Sequence, residues 1–428
     1  MCAATSIQDA GRTGRPTVVF AGGGTAGHLF PGLAVAERLA ADAPDLELVF
    51  AGAGKPLEER IVRQAGFDYL AIPCRAAPRR LRDVPSFLKS TWSALRTAQA
   101  FLAERQPVAI VGLGGYASVP MARAALRRGV PLVLLEQNAI PGRANLWLAR
   151  RATILCAAFA EVKHYLPAEC DWRMTGNPLR DGFAKRSRAA AERAGGSFHG
   201  PHAQGGLRAP WAGAQRDFAL EPSGGPAAPR RARQLVILGG SSGARWLNTH
   251  VPPALARLRA RIASWRIVHQ TGEEDFKRTA ALYRRLKIEA AVSPFISDMA
   301  GTLSASDLAV CRAGGTTLAE LAVCGVPAVL VPYPYAAADH QRKNAEVFVE
   351  AGGCLLLDER GLGGDADRQL AGLLLPLIRS GATREIMGRA MARMATPEAA
   401  WDIATMIRRM VPPALRGGKA AERRRTAA

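Results

Sequence analysis

At 428 residues the chain exceeds what a single hydrophobic core usually serves, which predicts two domains with appendages. Hydrophobic residues at 48% and charged residues at 22% are ordinary for a globular protein. The formal charge of +21 is not ordinary and calls for an anionic partner, either nucleic acid or an acidic membrane surface.

In chain order, Met1 to Arg15 lacks the apolar core of a secretory signal. Short apolar strands are predicted at Thr17–Ala21, Glu47–Ala51, Tyr69–Ile72, Val108–Val111, Leu132–Leu135 and Thr153–Cys156. Helices lie between them, among them Pro31–Ala41 and Val84–Glu104. Such strands alternating with amphipathic helices indicate a parallel sheet covered on both faces. The pattern stops at Ala184, and the stretch to Arg233 is rich in Gly, Ala, Pro and Arg without a sustained period, as a mobile insertion or linker would be. Residues 183–233 hold nine Arg and Lys against three Asp and Glu, and the tail 413–428 holds five against one. About half of the charge excess therefore belongs to the folded body.

The alternation restarts at Gln234, with strands predicted at Leu235–Leu238, Trp265–His269, Ala290–Ser293, Leu308–Cys311, Ala328–Val331 and Cys354–Leu357. Leu321 to Ala338 carries no charge over 18 residues, but Pro327, Pro332 and Pro334 break it, and a buried strand is the reading rather than a membrane span. Cys2, Cys74, Cys156, Cys170, Cys311, Cys324 and Cys354 are scattered without a C-x-x-C pair, as reduced thiols in a cytoplasmic protein would be. The two halves open alike, VVFAGGGTAGH and LVILGGSSGAR, each a buried strand, a glycine turn and a helix. The fold class expected is α/β, two Rossmann-like doubly wound parallel-sheet domains facing across a cleft. Their spans are 16–182 and 234–396, joined by 183–233 and followed by a helix over 397–412, a candidate to pack back on the first domain.

Gly22 to Gly27 matches G-x-G-x-x-G after a strand, but a dinucleotide site also needs an acid at the end of the second strand, which here ends in Ala51 and Gly52. The turn still offers a phosphate-sized or sugar-sized opening at a helix N-terminus. His28 follows at its mouth, either capping the turn or acting as a general base or polariser of an acceptor hydroxyl. Gly239 to Arg245 opens the second domain with a backbone that a phosphate can approach and a hydroxyl donor in Ser241, and no P-loop lysine is present. Asp365-Ala366-Asp367 has the look of a D-x-D metal motif, but acids in a first helical turn are common for dipole reasons. No His or Cys cluster has zinc spacing, and no metal is called for.

Arg312 to Asn344 is the richest stretch: a glycine turn at Gly314-Gly315, a helix carrying Glu320, a strand, then Asp339-His340-Gln341. A carboxylate, amides and the free N–H groups of a helix start suit a hydroxyl-rich ligand carrying a phosphate, a nucleotide sugar. Arg75, Arg79, Arg80 and Arg82 precede a helix bearing Phe87, Leu88 and Trp92. That patch reads either as an anionic-membrane contact or as a solvated loop before a core helix. Nucleic acid ranks last, since no recognised module is present and aromatics are only 6%.

In order, GGGTAGHLFPGLAVA (22–36), VGLGGYASVP (111–120), LEQNAIPGRANLWLAR (135–150), TGNPLR (175–180), LGGSSGARWLN (238–248), FISDM (295–299), CRAGGTTLAEL (311–321) and DHQRKNA (339–345) resemble the bacterial UDP-N-acetylglucosamine:lipid I N-acetylglucosaminyltransferases, a GT-B family. The resemblance implies transfer of N-acetylglucosamine from UDP-N-acetylglucosamine to the C4 hydroxyl of the muramic acid sugar of lipid I, with inversion, giving lipid II. It implies no cofactor and no metal. It implies a peripheral place at the cytoplasmic face of the inner membrane, with cell-wall synthesis proteins as further partners. By position, Thr25, Ala26, Gly27 and Asn145 line the sugar and diphosphate region, while Arg180, Ser241, Ile296, Gly315, Thr316, Thr317, Leu318, Ala319, Glu320 and Gln341 hold the nucleotide and its sugar. Glu320 is expected on the ribose hydroxyls, the Ile296 backbone on uracil, Gln341 on the sugar and His28 near the acceptor.

Two positions depart from the family. Ala26 stands where Gly is usual, costing about 1 kcal/mol if the residue needs positive φ and nearly nothing otherwise. Leu135 precedes Glu136 where His is common. The other readings are another UDP-sugar enzyme of the same architecture, a glycolipid glucosyltransferase or a UDP-N-acetylglucosamine 2-epimerase, and a non-catalytic sugar-nucleotide or membrane-binding protein.

Overall fold

The computed structural model describes residues 15–23, 26–75, 78, 80–183, 232–239 and 244–413. Thr25, Arg79, Ser241, and most of the 183–233 segment and the 413–428 tail lie outside the described residues. The chain forms two compact units. One takes in the chain to Gln137, Pro141–Pro178 and the chain from Ala399; the other takes in Asn138–Ile140 and Leu179–Glu398.

The first unit is built on β1 (Thr17–Gly22), β2 (Glu47–Gly52), β3 (Asp68–Ala71), β4 (Ala109–Gly114), β5 (Leu132–Glu136), β6 (Ile154–Ala157) and β7 (Trp172–Met174). They form one sheet in the order β3-β2-β1-β4-β5-β6-β7, every pair parallel. Strand residues alternate between two cores, as a two-residue period requires. Val18 and Phe20 enter one with Leu33, Leu39 and Phe50, while Val19 and Ala21 enter the other with Ala94, Ala98 and Met121. The helices of this unit are α1 (Ala26–Asp42), α2 (Pro56–Gln64), α3 (Val84–Arg105), α4 (Val119–Arg127) and α5 (Arg143–Ala149).

The second unit begins at β8 (Arg233–Leu238). It continues through α6 (Arg245–Arg257), α7 (Arg259–Ile262), β9 (Trp265–Gln270), α8 (Phe276–Arg285), β10 (Ala291–Ser293), α9 (Met299–Ser304) and β11 (Leu308–Cys311). Then follow α10 (Gly315–Cys324), β12 (Ala328–Leu330), α11 (His340–Glu350), β13 (Cys354–Leu356), α12 (Ala366–Arg379) and α13 (Gly381–Arg393). Its sheet runs β10-β9-β8-β11-β12-β13, also parallel throughout. The last helix, α14 (Ala399–Met410), returns to the first unit and lies on α1, with Ile403, Ala404 and Ile407 in the core there. Burial of each isoleucine contributes roughly 2 kcal/mol.

Both sheets carry the doubly wound order, so each has one place where the chain reverses its direction of winding: between β1 and β4, and between β8 and β11. Ligands of open α/β sheets sit outside the strand ends at such points. The glycines that end β1 and β4 and those that open α10 after β11 lie there, as does Gly239 at the end of β8.

Two elements differ from expectation. Strand β7 was not predicted, because Trp172–Met174 is a three-residue edge strand around an arginine and offers no apolar run. Helix α1 begins at Ala26 rather than Pro31, so Pro31 sits inside it and cannot give Gly27 O the usual i+4 bond. Ala26 is thus a helical position, and alanine there carries no left-handed penalty. Among the described residues no helix is long and apolar enough to cross a membrane. The six described cysteines are unbridged, and burial pushes the Cys156 and Cys354 thiols up to about 12, which keeps them inert.

Candidate active site

In the first unit the site is the meeting of two glycine-lined strand ends with one imidazole. Gly22 and Gly23 end β1 at φ +148 and +147, and Gly114 and Gly115 end β4 at φ +93 and +72. The half-buried His28 ring lies against the second pair. A Cβ built on Gly114 would stand 3.3 Å from His28 Cδ2, and one on Gly115 would stand 3.7 Å from Nδ1. Only glycine supplies both the positive φ and the room that this ring occupies. Gly27, one residue earlier, is exposed at the start of α1.

Asn145 sits in α5, 1% exposed. Its amide donates to Leu135 O and to Glu136 Oε2, both at 2.9 Å. Glu136 Oε2 also accepts from Gly142 N at 2.9 Å, so one carboxylate fixes both the loop before α5 and the Asn145 side chain. With both N–H groups committed, Asn145 has only its carbonyl oxygen left to offer, which argues against a direct phosphate contact.

The expected membrane patch is present in part. Arg75, Arg80 and Arg82 are exposed. Leu88 and Trp92 are 59% and 60% exposed on α3, whereas Phe87 is half-buried. Trp147 of α5, which sequence reasoning passed over, is 57% exposed. Each indole carries an arginine over its face: Arg96 lies 4.4 Å from the Trp92 ring and Arg123 of α4 lies 6.0 Å from the Trp147 ring. Because α3 packs on α4 and α4 on α5, these pairs share one face of the unit.

In the second unit the site is built on the start of α10. Gly314 is its N-cap in extended conformation, and the first intrahelical bond is Leu318 N to Gly314 O at 3.0 Å. The N–H groups of Gly315, Thr316 and Thr317 therefore precede the helix ladder at the positive dipole end, a position that suits an anion. Leu318 is fully buried in the core, which leaves its side chain no ligand role, and Ala319 is half-buried. Glu320, 8% exposed, has Oε1 4.0 Å from Arg180 Nη2. Burial pushes its carboxyl up to about 7, and Arg180 opposes that rise without cancelling it.

Ile296 lies half-buried in the loop between β10 and α9, next to an exposed Phe295. Asp298 caps α9 by accepting from Gly301 N at 2.8 Å and so fixes the loop's far end. Gln341 lies in the first turn of α11, its Oε1 accepting from Tyr333 N at 2.9 Å. The residues before that helix, Ala338 and Asp339, hold left-handed φ values of +52 and +57, a strain of about 1–2 kcal/mol each. An ion pair with Arg360 at 3.3 Å braces Asp339, and Arg360 and Arg342 both pair with Asp358, at 2.9 and 2.8 Å. Asn344, fully buried, donates to Ala313 O at 3.1 Å and so ties α11 to the loop that opens α10.

The second unit also holds a buried polar chain, between α6, β9 and α8, that the sequence did not reveal. His269 of β9 contacts Asn248 Oδ1 at 3.0 Å and Tyr283 Oη at 2.9 Å. Asn248 donates to Asp275 Oδ2 at 3.0 Å and to Thr271 O at 2.9 Å, which pins the start of α6 to the end of β9. Asp367 of the D-x-D motif pairs with His250 Nδ1 at 2.8 Å, a tie between α12 and α6.

Residues 18–156 match the glycosyltransferase family 28 N-terminal domain, and residues 234–401 match the family 28 C-terminal domain. A UDP-N-acetylglucosamine--N-acetylmuramyl-(pentapeptide) pyrophosphoryl-undecaprenol N-acetylglucosamine transferase of Pelobacter propionicus is 37% identical, over 84% of this chain and 90% of its own length. The enzyme of that description in Anaeromyxobacter dehalogenans is 35% identical over 92% of this chain and 93% of its own. The crystal structure of Acinetobacter baumannii MurG superposes with a TM-score of 0.66 at 28% identity, covering 92% of this chain and 99% of that one. A putative UDP-N-acetylglucosamine 2-epimerase from Listeria monocytogenes shares the fold alone, with a TM-score of 0.59 at 14% identity. The chain has the GT-B fold and belongs to glycosyltransferase family 28, among the undecaprenol-linked N-acetylmuramyl-pentapeptide N-acetylglucosamine transferases.

Proposed function

We propose that the protein transfers N-acetylglucosamine from UDP-N-acetylglucosamine to the C4 hydroxyl of N-acetylmuramic acid on lipid I, giving lipid II and UDP. The observation that carries this reading is the α10 start, where backbone N–H groups that precede the helix ladder stand beside a buried carboxylate facing Arg180. A diphosphate fits the first and vicinal ribose hydroxyls fit the second.

In the reaction the acceptor oxygen attacks C1 of the donor sugar from the face opposite the diphosphate. The C1–oxygen bond to UDP breaks, and the configuration inverts. His28 is the group of the first unit suited to draw the hydroxyl proton or polarise that bond. Fixed N–H donors at the α10 start stabilise the departing diphosphate in the way an oxyanion hole does, so a metal is not required. Glu320 and the Ile296 backbone hold the ribose and the uracil, and Gln341 holds the sugar. Purified protein is expected to release UDP from UDP-N-acetylglucosamine and a lipid I analogue with EDTA present. Turnover with UDP-glucose only, or none with either donor, sinks the assignment.

The undecaprenyl acceptor places the enzyme at the cytoplasmic face of the inner membrane. Arg75, Arg80 and Arg82 with Leu88, Trp92 and Trp147 form the face that meets anionic lipid. Replacing the three arginines with serine is expected to lower sedimentation with anionic vesicles about tenfold, at roughly 1 kcal/mol per charge partly screened by salt. Equal sedimentation of the variant would assign these residues to a solvated loop.

A further inference from the structure

A second acid belongs to the first unit's site, and neither the glycine motif nor the eight short stretches that carry the resemblance include it. Glu58 is the third residue of α2, a surface helix, yet it is only 5% exposed. Its Oε2 accepts from Ala53 N and from Tyr69 Oη, both at 3.1 Å. Tyr69 Oη in turn accepts from Gly54 N at 2.9 Å. Burial, then the charge of Glu58, push the phenol above its ordinary range, which keeps it a donor to the carboxylate. The carboxylate thereby locks the turn after β2.

Its other face lies on the turn after β1. A Cβ built on Gly23 would stand 3.0 Å from Cδ, Oε1 and Oε2 of Glu58 alike, so the carboxylate is laid flat on that glycine. A Cβ on Gly52 would stand 2.9 Å from Oε2. On the far side of Gly23, its carbonyl oxygen would be 3.1 Å from a Cβ on Gly115, whose own space borders His28 Nδ1 at 3.7 Å. Glu58, Gly23, Gly115 and His28 are therefore neighbours in series, with no side chain between one and the next.

We infer that Glu58 is a positioning residue for the transfer: through Gly23 and Gly115 it sets where the His28 imidazole stands. This rests on the transferase reading and on His28 acting at the acceptor. A displacement of a reacting group by about 1 Å costs on the order of 100-fold in rate.

Glu58→Ala is accordingly expected to lower kcat about 100-fold with the lipid-linked acceptor, while KM for UDP-N-acetylglucosamine stays within about twofold. Glu58→Gln keeps an oxygen that accepts from Ala53 N and is expected to recover kcat to within about fivefold of wild type. In spectra of ring-labelled protein, the His28 signal, identified by its loss in His28→Ala, should move in Glu58→Ala and return in Glu58→Gln. Wild-type kcat per folded molecule in Glu58→Ala, or a lost kcat with an unmoved His28 signal, overturns the inference. Should Glu58→Ala not fold, Glu58→Asp carries the test, with a shortened reach that must lower kcat and move the signal; an unchanged kcat there overturns it equally. Wild-type turnover in the same assay tests the transferase reading separately, and the ring signal needs no turnover at all.

Discussion

Lowering the pH from about 8 to about 6 is expected to weaken UDP binding up to about tenfold, because Glu320 accepts both ribose hydroxyls most strongly as a carboxylate and titrates at about 7. Glu320→Gln should abolish that pH dependence and weaken binding by at least about 100-fold, the scale of losing hydrogen bonds to a charged acceptor. Calorimetry at both pH values measures the two effects together. The same substitution should stabilise the protein. The folded carboxyl keeps a proton that the unfolded one gives up at its ordinary value of 4.5, so stability is full below that value and falls as pH rises through 7. At pH above 7 the burden is up to roughly 3 kcal/mol, and glutamine does not carry it. A variant that binds worse and melts later would mark Glu320 as a residue kept for ligand at the expense of the fold. Equal UDP affinity would end its assignment to the ribose.

The second large effect runs the other way with pH. His269 is sealed in the second unit, and burial drives its imidazole down to about 3 from an ordinary 6.5. A depressed histidine stabilises the fold above pH 6.5, and that contribution is lost as pH falls toward 3. Protonation would place a charge between Asn248 and Tyr283, where each ring nitrogen is already engaged. In wild type the gain from Glu320 offsets this loss almost fully between about pH 7 and pH 4.5. In Glu320→Gln the loss is expected to stand alone, with unfolding free energy about 3 kcal/mol lower near pH 4 than near pH 7. Denaturant melts across that range measure it. A flat profile in that variant would mean that His269 is hydrated or that the network opens before it titrates.

Strand positions were legible because parallel strands covered on both faces must be apolar along their length, and the glycine turns marked where each sheet reverses. What escaped the sequence were partnerships between distant residues. The dinucleotide reading was set aside because β2 ends in Ala51 and Gly52 without an acid. The fold nonetheless delivers a carboxylate to that place from α2, where Glu58 stands in a first helical turn, a common place for an acid. His269 in WRIVHQ has no local mark of a buried polar chain, since its partners Asn248 and Tyr283 come from two different helices. Arg180 was assigned to the nucleotide, and its nearness to Glu320 joins residues on either side of half a domain. The Phe87 assignment followed helix periodicity alone, which does not say which of two neighbouring apolar residues turns toward the core.

The return of α14 to the first unit bears on how the molecule is made. Ribosomal synthesis releases the sheet of that unit early, yet Ile403, Ala404 and Ile407, which seal its core against α1, are among the last described residues to emerge. The amino-terminal half must therefore wait, with an apolar stripe uncovered, while the whole of the second unit is translated and folds. Nascent chains stopped before Ala399 should expose that stripe to chaperones, and chains released after Val411 should not.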